Sequence, residues 1–313
     1  ALRLKQVALF GEADYHLTDK LKVTAGLRAF RETQDIHAET IFFTPQPDFN
    51  GDQTASGLNP KFALDSQLDD DRLLYAVAAK GFRSGGVNGG GSSKPTYDPD
   101  HLWSYEVGVK GYLLDRRLTF NLAAFYIDWR DIQISVPDPA LPGLSFIDNA
   151  GAAHSTGIEA ELTARPIEGL EIGASLGVNE AVLHELTQGG VVIYERARLP
   201  NVPKVKTGLS VDYSRPVSQD ISAFGRVDWS YTGSSMNGVT PAFTTQPVRQ
   251  DSYNLVNLRF GLRADRWELE GFVENLTNEI AQLNIDPGLS SPGNPVVSVN
   301  RPRTVGVALR TRF

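Results

Sequence analysis

The sequence predicts an all-β chain: one antiparallel sheet of about thirteen strands, built to cross a membrane as part of a transmembrane β-barrel. Three observations predict it. Apolar and polar residues alternate with a period of two over segments of about ten residues or more, where ordinary globular strands run to about five or six and a tilted membrane-crossing strand needs about nine to eleven. Short and long connections alternate without exception along the chain. Aromatic residues collect near both ends of the strands.

The first hairpin shows the reading. Val7, Leu9, Gly11, Ala13 and Tyr15 alternate with Ala8, Phe10, Glu12 and Asp14; after Thr18, Asp19 and Lys20, the residues Leu21, Val23, Ala25, Leu27 and Ala29 alternate with Lys22, Thr24, Gly26, Arg28 and Phe30. Strands follow near 58–67, 72–82, 102–113, 117–131, 155–165, 170–181, 203–213, 220–232, 253–263, 267–276 and 301–313. Tight turns fall at 17–20, 68–71, 114–116, 166–169, 215–219 and 264–266, and long connections at 32–57, 83–101, 132–154, 182–202, 233–252 and 277–300. The long ones hold much of the turn chemistry, as in SGGVNGGGSSKPTYDPD at 84–100 and DPGLSSPGNP at 286–295. All long loops therefore leave one end of the sheet. No segment reads as a helix.

Sorting by parity gives an aliphatic face that includes Val107, Val109, Ile158, Leu162, Leu176, Leu209, Val227, Leu258, Val273, Val307 and Leu309. The opposite face carries both signs of charge, among them Glu12, Asp14, Arg28, Lys80, Glu106, Lys110, Glu159, Glu161, Arg226, Asp228, Arg263, Glu268, Glu270 and Arg310. A soluble β-sandwich produces the same alternation. The aromatic residues favour a bilayer, because amphipathic rings settle at headgroup level. Trp103, Tyr105, Tyr126, Trp129, Trp229 and Tyr231 fall near the long-loop ends, and Tyr15, Trp267 and Phe313 near the tight-turn ends. A wall with that many charges holds water or a polar plug, since unpaired buried charge is too costly.

Composition excludes several classes. A net charge of -7 offers no basic surface for nucleic acid. Cysteine is absent, so thiol catalysis and disulfides are too. No apolar run approaches about 18 residues, which rules out a transmembrane helix and leaves a barrel open. The chain opens on ALRLKQVALF, without Met or signal segment, and we expect that processing or truncation has removed its start.

Five stretches carry a resemblance: AAKGFRSGGVN at 78–88, WSYEVGVKGYLLDRRLTFNLAAFYIDWRDIQI at 103–134, STGIEAELTARP at 155–166, FVENLTNEIAQ at 272–282, and the last strand ending in Phe313. Together, and in this order, they resemble the carboxy-terminal barrel portion of TonB-dependent outer-membrane receptors of the siderophore type. The resemblance implies a barrel of about 22 strands around an amino-terminal plug. About thirteen strands are too few to surround a plug, and an odd number conflicts with the even count of bacterial barrels, so residues 1–313 are expected to be an incomplete barrel. It further implies a bacterial outer-membrane location, contact with lipid, a monomeric state, TonB acting through the missing amino-terminal part, and a scarce small-molecule ligand such as a ferric siderophore. In such proteins the final strand, here Val305, Val307, Leu309 and Phe313, is read by the barrel assembly machinery. Two rival functions are a passive porin-like channel and a soluble β-rich binding module.

Individual motifs add little chemistry. The glycines at 81–91 lack a following helix or a GK[ST], which makes a loop the expectation rather than a nucleotide site. Glu159 and Glu161 read as charged wall rather than as an acid/base pair. His16, His37, His101, His154 and His184 show no close ligand spacing, so no metal and no cofactor is expected. No nucleophile, base and orienting group occur together, and no enzyme is expected. Asn275 fits a glycosylation triplet, but reads as part of an NLT turn. Candidate ligand contacts are Phe42, Phe43, Phe82, Arg83, Tyr97, Trp103, Trp129 and Arg130, where aromatic and cationic groups near the long loops would meet a bulky anionic ligand.

Overall fold

A computed structural model of the chain describes residues 2–38, 49–88, 92–138, 140, 145–149, 151–188, 191–238, 248–286 and 296–311. Thirteen strands follow one another in the sheet in chain order: β1 Leu2–Thr18, β2 Leu21–Ala38, β3 Phe49–Asp69, β4 Arg72–Arg83, β5 Asp100–Leu113, β6 Leu118–Arg130, β7 Gly151–Ala164, β8 Leu170–Gln188, β9 Val205–Pro216, β10 Ser222–Thr232, β11 Tyr253–Arg263, β12 Trp267–Glu274 and β13 Thr304–Thr311. Every neighbouring pair is antiparallel and none crosses over. The path does not close: β1 and β13 are open edges, as expected of a partial barrel. Among the described residues there is no helix.

Two connections expected to be long loops are largely strand. β2 runs on to Ala38, β3 starts at Phe49, and β8 reaches Gln188 before Val191–Arg198 folds back on it as an extra strand. The extensions of β2 and β3 are polar on both sides, as in GDQTASG at 51–57, so hydrophobic alternation does not reveal them. They are nonetheless paired residue for residue, from Arg31 against Ser56 to Ala38 against Phe49. The tight turns stand where the alternation predicts them. The turn after β5 is sharp: Leu114, Asp115 and Arg116 all hold positive φ, at 55°, 55° and 64°.

Cross-strand partners share a face, so the register sorts the side chains. On one face stands a run of ion pairs. Lys61 reaches Glu12 at 2.9 Å across Gly26, Lys22 reaches Asp65 at 3.0 Å, Arg263 reaches Glu268 at 2.6 Å and Arg226 reaches Asp228 at 2.8 Å. Glycine makes room on this face for side chains that lie across the sheet. The Tyr75 ring crosses Gly108, where an added Cβ would sit 2.5 Å from it, and its hydroxyl donates to Glu106 Oε1 at 2.7 Å.

The other face is bare. Ile158 is 59% exposed, Leu58 55% and Val107 51%, although each stands on a strand with neighbours on both sides. Among the described residues no second layer covers them, which a sandwich requires. The buried apolar cluster lies instead in the long connections and the strand ends beside them: Ile132, Val136, Phe146, Ala153 and Leu183, with Trp129 packed against it.

Two placements correct the parity reading. Lys80 pairs with Trp103, whose ring lies 6.0 Å from Tyr105, so it stands on the apolar face at the long-loop end and not among the wall charges. Trp129 is three residues from Tyr126 and therefore on the opposite face, where it joins the buried cluster rather than an aromatic belt.

Candidate functional site

The long-loop end of β4 to β7 carries a densely hydrogen-bonded polar assembly among the described residues. Two short hairpins build it, Gly86–Val87 with Thr96–Tyr97, and Gln133–Pro137 with Ser145–Asn149. Asn88, 6% exposed, locks them together: its amide donates to the Lys94 carbonyl at 2.8 Å and the Ile147 carbonyl at 2.9 Å, and its oxygen accepts from the Ile147 amide at 2.7 Å. Asn149 accepts from the Asp98 amide at 2.7 Å and donates to the Asp98 and Asp131 carbonyls at 2.7 and 2.9 Å. Gln133 donates to the carbonyls of Ser84 at 2.8 Å and Asp98 at 3.1 Å. Lys94 pairs with Asp148.

At the root of this lobe Arg83, the last residue of β4, pairs with Asp100, the first of β5. The Asp100 side chain is 1% exposed; it accepts from Arg83 Nε at 3.1 Å, from Arg83 Nη2, and from the Gln133 amide at 3.2 Å. The guanidinium also lies 5.2 Å from the Trp129 ring centroid. On its other flank the lobe is tied to the sheet. Gln34 donates to the Gly85 carbonyl at 3.0 Å and to Glu32 at 2.9 Å, Gln53 donates to the Tyr97 carbonyl at 2.7 Å, and Phe82 stacks on Phe30 at 3.8 Å. The described glycines of this loop are therefore packed: a Cβ on Gly85 would lie 2.4 Å from the Tyr97 carbonyl oxygen.

The candidate contacts separate accordingly. Arg83 and Trp129 come together, with Tyr97 and Phe82 in the same lobe. Trp103 stands on the apolar face beside Tyr105, and Arg130 holds Asp128 at 2.9 Å on that face too. Phe42, Phe43 and Phe313 lie outside the described residues. Val305, Val307 and Leu309 line the apolar face of β13 at 72%, 75% and 67% exposure. Sequence reading missed Asp100, Gln133, Asn88 and Asn149; the signal was there in the Asp and Asn residues of the loops, whose side chains bond backbone groups. Asn275 holds a turn as expected, with φ of 52° and its amide donating to the carbonyls of Glu279 and Arg301 at 2.8 and 3.0 Å.

A shallow apolar depression of about 1120 Å³ is lined by Phe62, Leu64, Val107, Ala124, Tyr126 and Ile158. These belong to the bare face, so it suits acyl chains and not a polar ligand. On the same face an aromatic belt crosses three strands: Trp103 to Tyr105 at 6.0 Å, Tyr105 to Tyr126 at 6.4 Å, and Tyr126 to His154 at 6.2 Å between ring centroids.

A bare aliphatic face edged by aromatic rings, opposite a charged face, is the wall of a membrane barrel. Comparison with known proteins agrees. The family profile described as TonB dependent receptor-like, beta-barrel, matches residues 1–276. The pesticin receptor of Yersinia enterocolitica is 26% identical over 322 aligned positions, covering 98% of this chain and 44% of that protein. The metal-pseudopaline receptor of Pseudomonas aeruginosa is 30% identical over 200 positions, 63% of this chain and 27% of the other. Among solved structures, the ferric yersiniabactin uptake receptor of Yersinia pestis superposes with a TM-score of 0.82 at 21% identity, over all of this chain and 46% of that one. The chain thus spans less than half the length of these relatives. It belongs to the TonB-dependent receptor β-barrel family, whose members reside in the bacterial outer membrane.

Proposed function

We propose that residues 1–313 are the carboxy-terminal part of the barrel domain of a receptor that takes up a scarce ligand, a ferric siderophore, driven by TonB through an amino-terminal part. The observation that carries this reading is the match of the family profile across residues 1–276 to a sheet of thirteen consecutive antiparallel strands. The relatives named above, receptors for pesticin, a metal–pseudopaline complex and ferric yersiniabactin, support the ligand class. The reading makes the protein a transporter and not an enzyme. The charged face becomes the wall against a plug, the bare face meets outer-membrane lipid, and the lobe rooted at Arg83 and Asp100 faces the outside as part of the ligand entrance. The receptor acts as a monomer, has no business with nucleic acid, and is inserted by the barrel assembly machinery reading β13.

The test is uptake of radioactive iron as siderophore complexes by iron-starved cells with and without the gene. Expected is uptake that disappears with the gene, with TonB, or with the proton gradient. Gene-dependent uptake that survives loss of TonB would instead support a passive channel.

A further inference from the structure

The aromatic belt ends in two imidazoles. His154 on β7 pairs across the ladder with Val182 on β8, and His184 stands two residues further along β8 on the same face. Their ring centroids are 4.2 Å apart, and His154 Nδ1 is in direct contact with His184 Nε2. Thirty residues separate them in sequence, so no spacing motif announces the pair.

We propose that His154 and His184 form a binding site for a borderline divalent cation, of the Zn²⁺, Ni²⁺ or Cu²⁺ class, on the outer rim of the barrel. Imidazole nitrogen is the side-chain donor these ions favour, and the two nitrogens already converge on one point. A metal at about 2.0–2.1 Å from each nitrogen needs them somewhat further apart, within reach of small side-chain rotations. Beneath His154, β7 is hydrogen-bonded to β6 on one side and β8 on the other, and His184 is the extra residue at a register shift in the second ladder, between Leu183 opposite Ala153 and Glu185 opposite Ala152.

The surroundings do not compete. Asp128, opposite His154 on β6, is held by Arg130 at 2.9 Å, and Glu180 on β8 is held by Lys204 at 3.1 Å. These two carboxylates already have their cations, which leaves the imidazoles as the donors for an incoming metal. The pair is exposed at the level of the aromatic belt, where the headgroup layer is wet, so the remaining coordination positions are open to water.

The experiment is calorimetric titration of Zn²⁺ into the chelator-stripped full receptor in detergent at about pH 7.5 and about pH 5.5, on either side of the ordinary imidazole titration. Expected is one Zn²⁺ per chain at the higher pH, lost at the lower because both ligands must be unprotonated. Each of His154→Gln and His184→Gln weakens it at least about tenfold, and the double substitution abolishes it. Cu²⁺ loaded in place of zinc should show an electron paramagnetic resonance spectrum split by two nitrogens. Unchanged heat-modifiable migration on gels verifies that the variants fold. Absence of binding to the native receptor, or equal binding by the double variant, overturns the site, whatever ligand the receptor transports.

Discussion

Replacing Arg83 by Met tests whether the lobe is held at its root. Asp100 is 1% exposed, and after the substitution its carboxylate keeps a single donor, the Gln133 amide at 3.2 Å. Removing one partner of a buried ion pair costs about 3–5 kcal/mol. The Arg83 side chain is 50% exposed, so solvent already screens much of the attraction, and about 2 kcal/mol is the better figure. The contact with Trp129 at 5.2 Å adds about 0.5 kcal/mol. Together these favour local opening by between one and two orders of magnitude. Hydrogen exchange read by mass spectrometry checks it: amides in Gln133–Pro137 and Ser145–Asn149 should exchange faster by about that factor, while those in the middle of β6 stay unchanged. Adding Asp100→Asn to Arg83→Met should restore part of the protection, because the orphaned charge is gone. Unchanged exchange in both hairpins after Arg83→Met would refute the reasoning.

Three further outcomes are expected. Asn88→Ala removes three hydrogen bonds at a 6% exposed position and should weaken the lobe by about 3 kcal/mol, seen as protease cleavage between residues 92 and 100. Asp115→Gly relieves one of three consecutive positive-φ residues and should raise the thermal midpoint, since the left-handed conformation costs about 1–2 kcal/mol and glycine's extra freedom returns only part of that. In the tight turn between β3 and β4, the Arg72 guanidinium holds the Asp69 carboxyl below its ordinary range. Its folded value lies under its unfolded one, so its stabilisation is present above the ordinary carboxylate range and is lost as pH falls through the lowered value; Asp69→Asn should flatten that acid limb in a pH series of turn exchange rates.

Much of the barrel wall was legible because a two-residue period needs no tertiary context: whatever packs on either side, Ile158 and Glu159 must point apart. The turns were legible for the same reason, as interruptions of that period. The upper reaches of β2 and β3 were not, since a strand with polar residues on both sides has no hydrophobic signature and is held by pairing alone. The lobe was hardly legible. Its candidates were chosen for aromatic or cationic character, and Arg83 and Trp129 did meet, but their real partner was Asp100, which a sequence shows as one more loop aspartate. Trp103 and Arg130 ended on the apolar face because parity near a strand end decides direction before residue type does.

The ion pairs of the charged face have a consequence for anything that travels past them. Lys61 with Glu12, Lys22 with Asp65 and Arg263 with Glu268 cancel within about one or two strand spacings, so at these places the wall presents short dipoles rather than free charges. The field of such dipoles fades quickly with distance. A charged group that comes to lie a few ångströms from these pairs would feel little net pull from them, and salt should change that little.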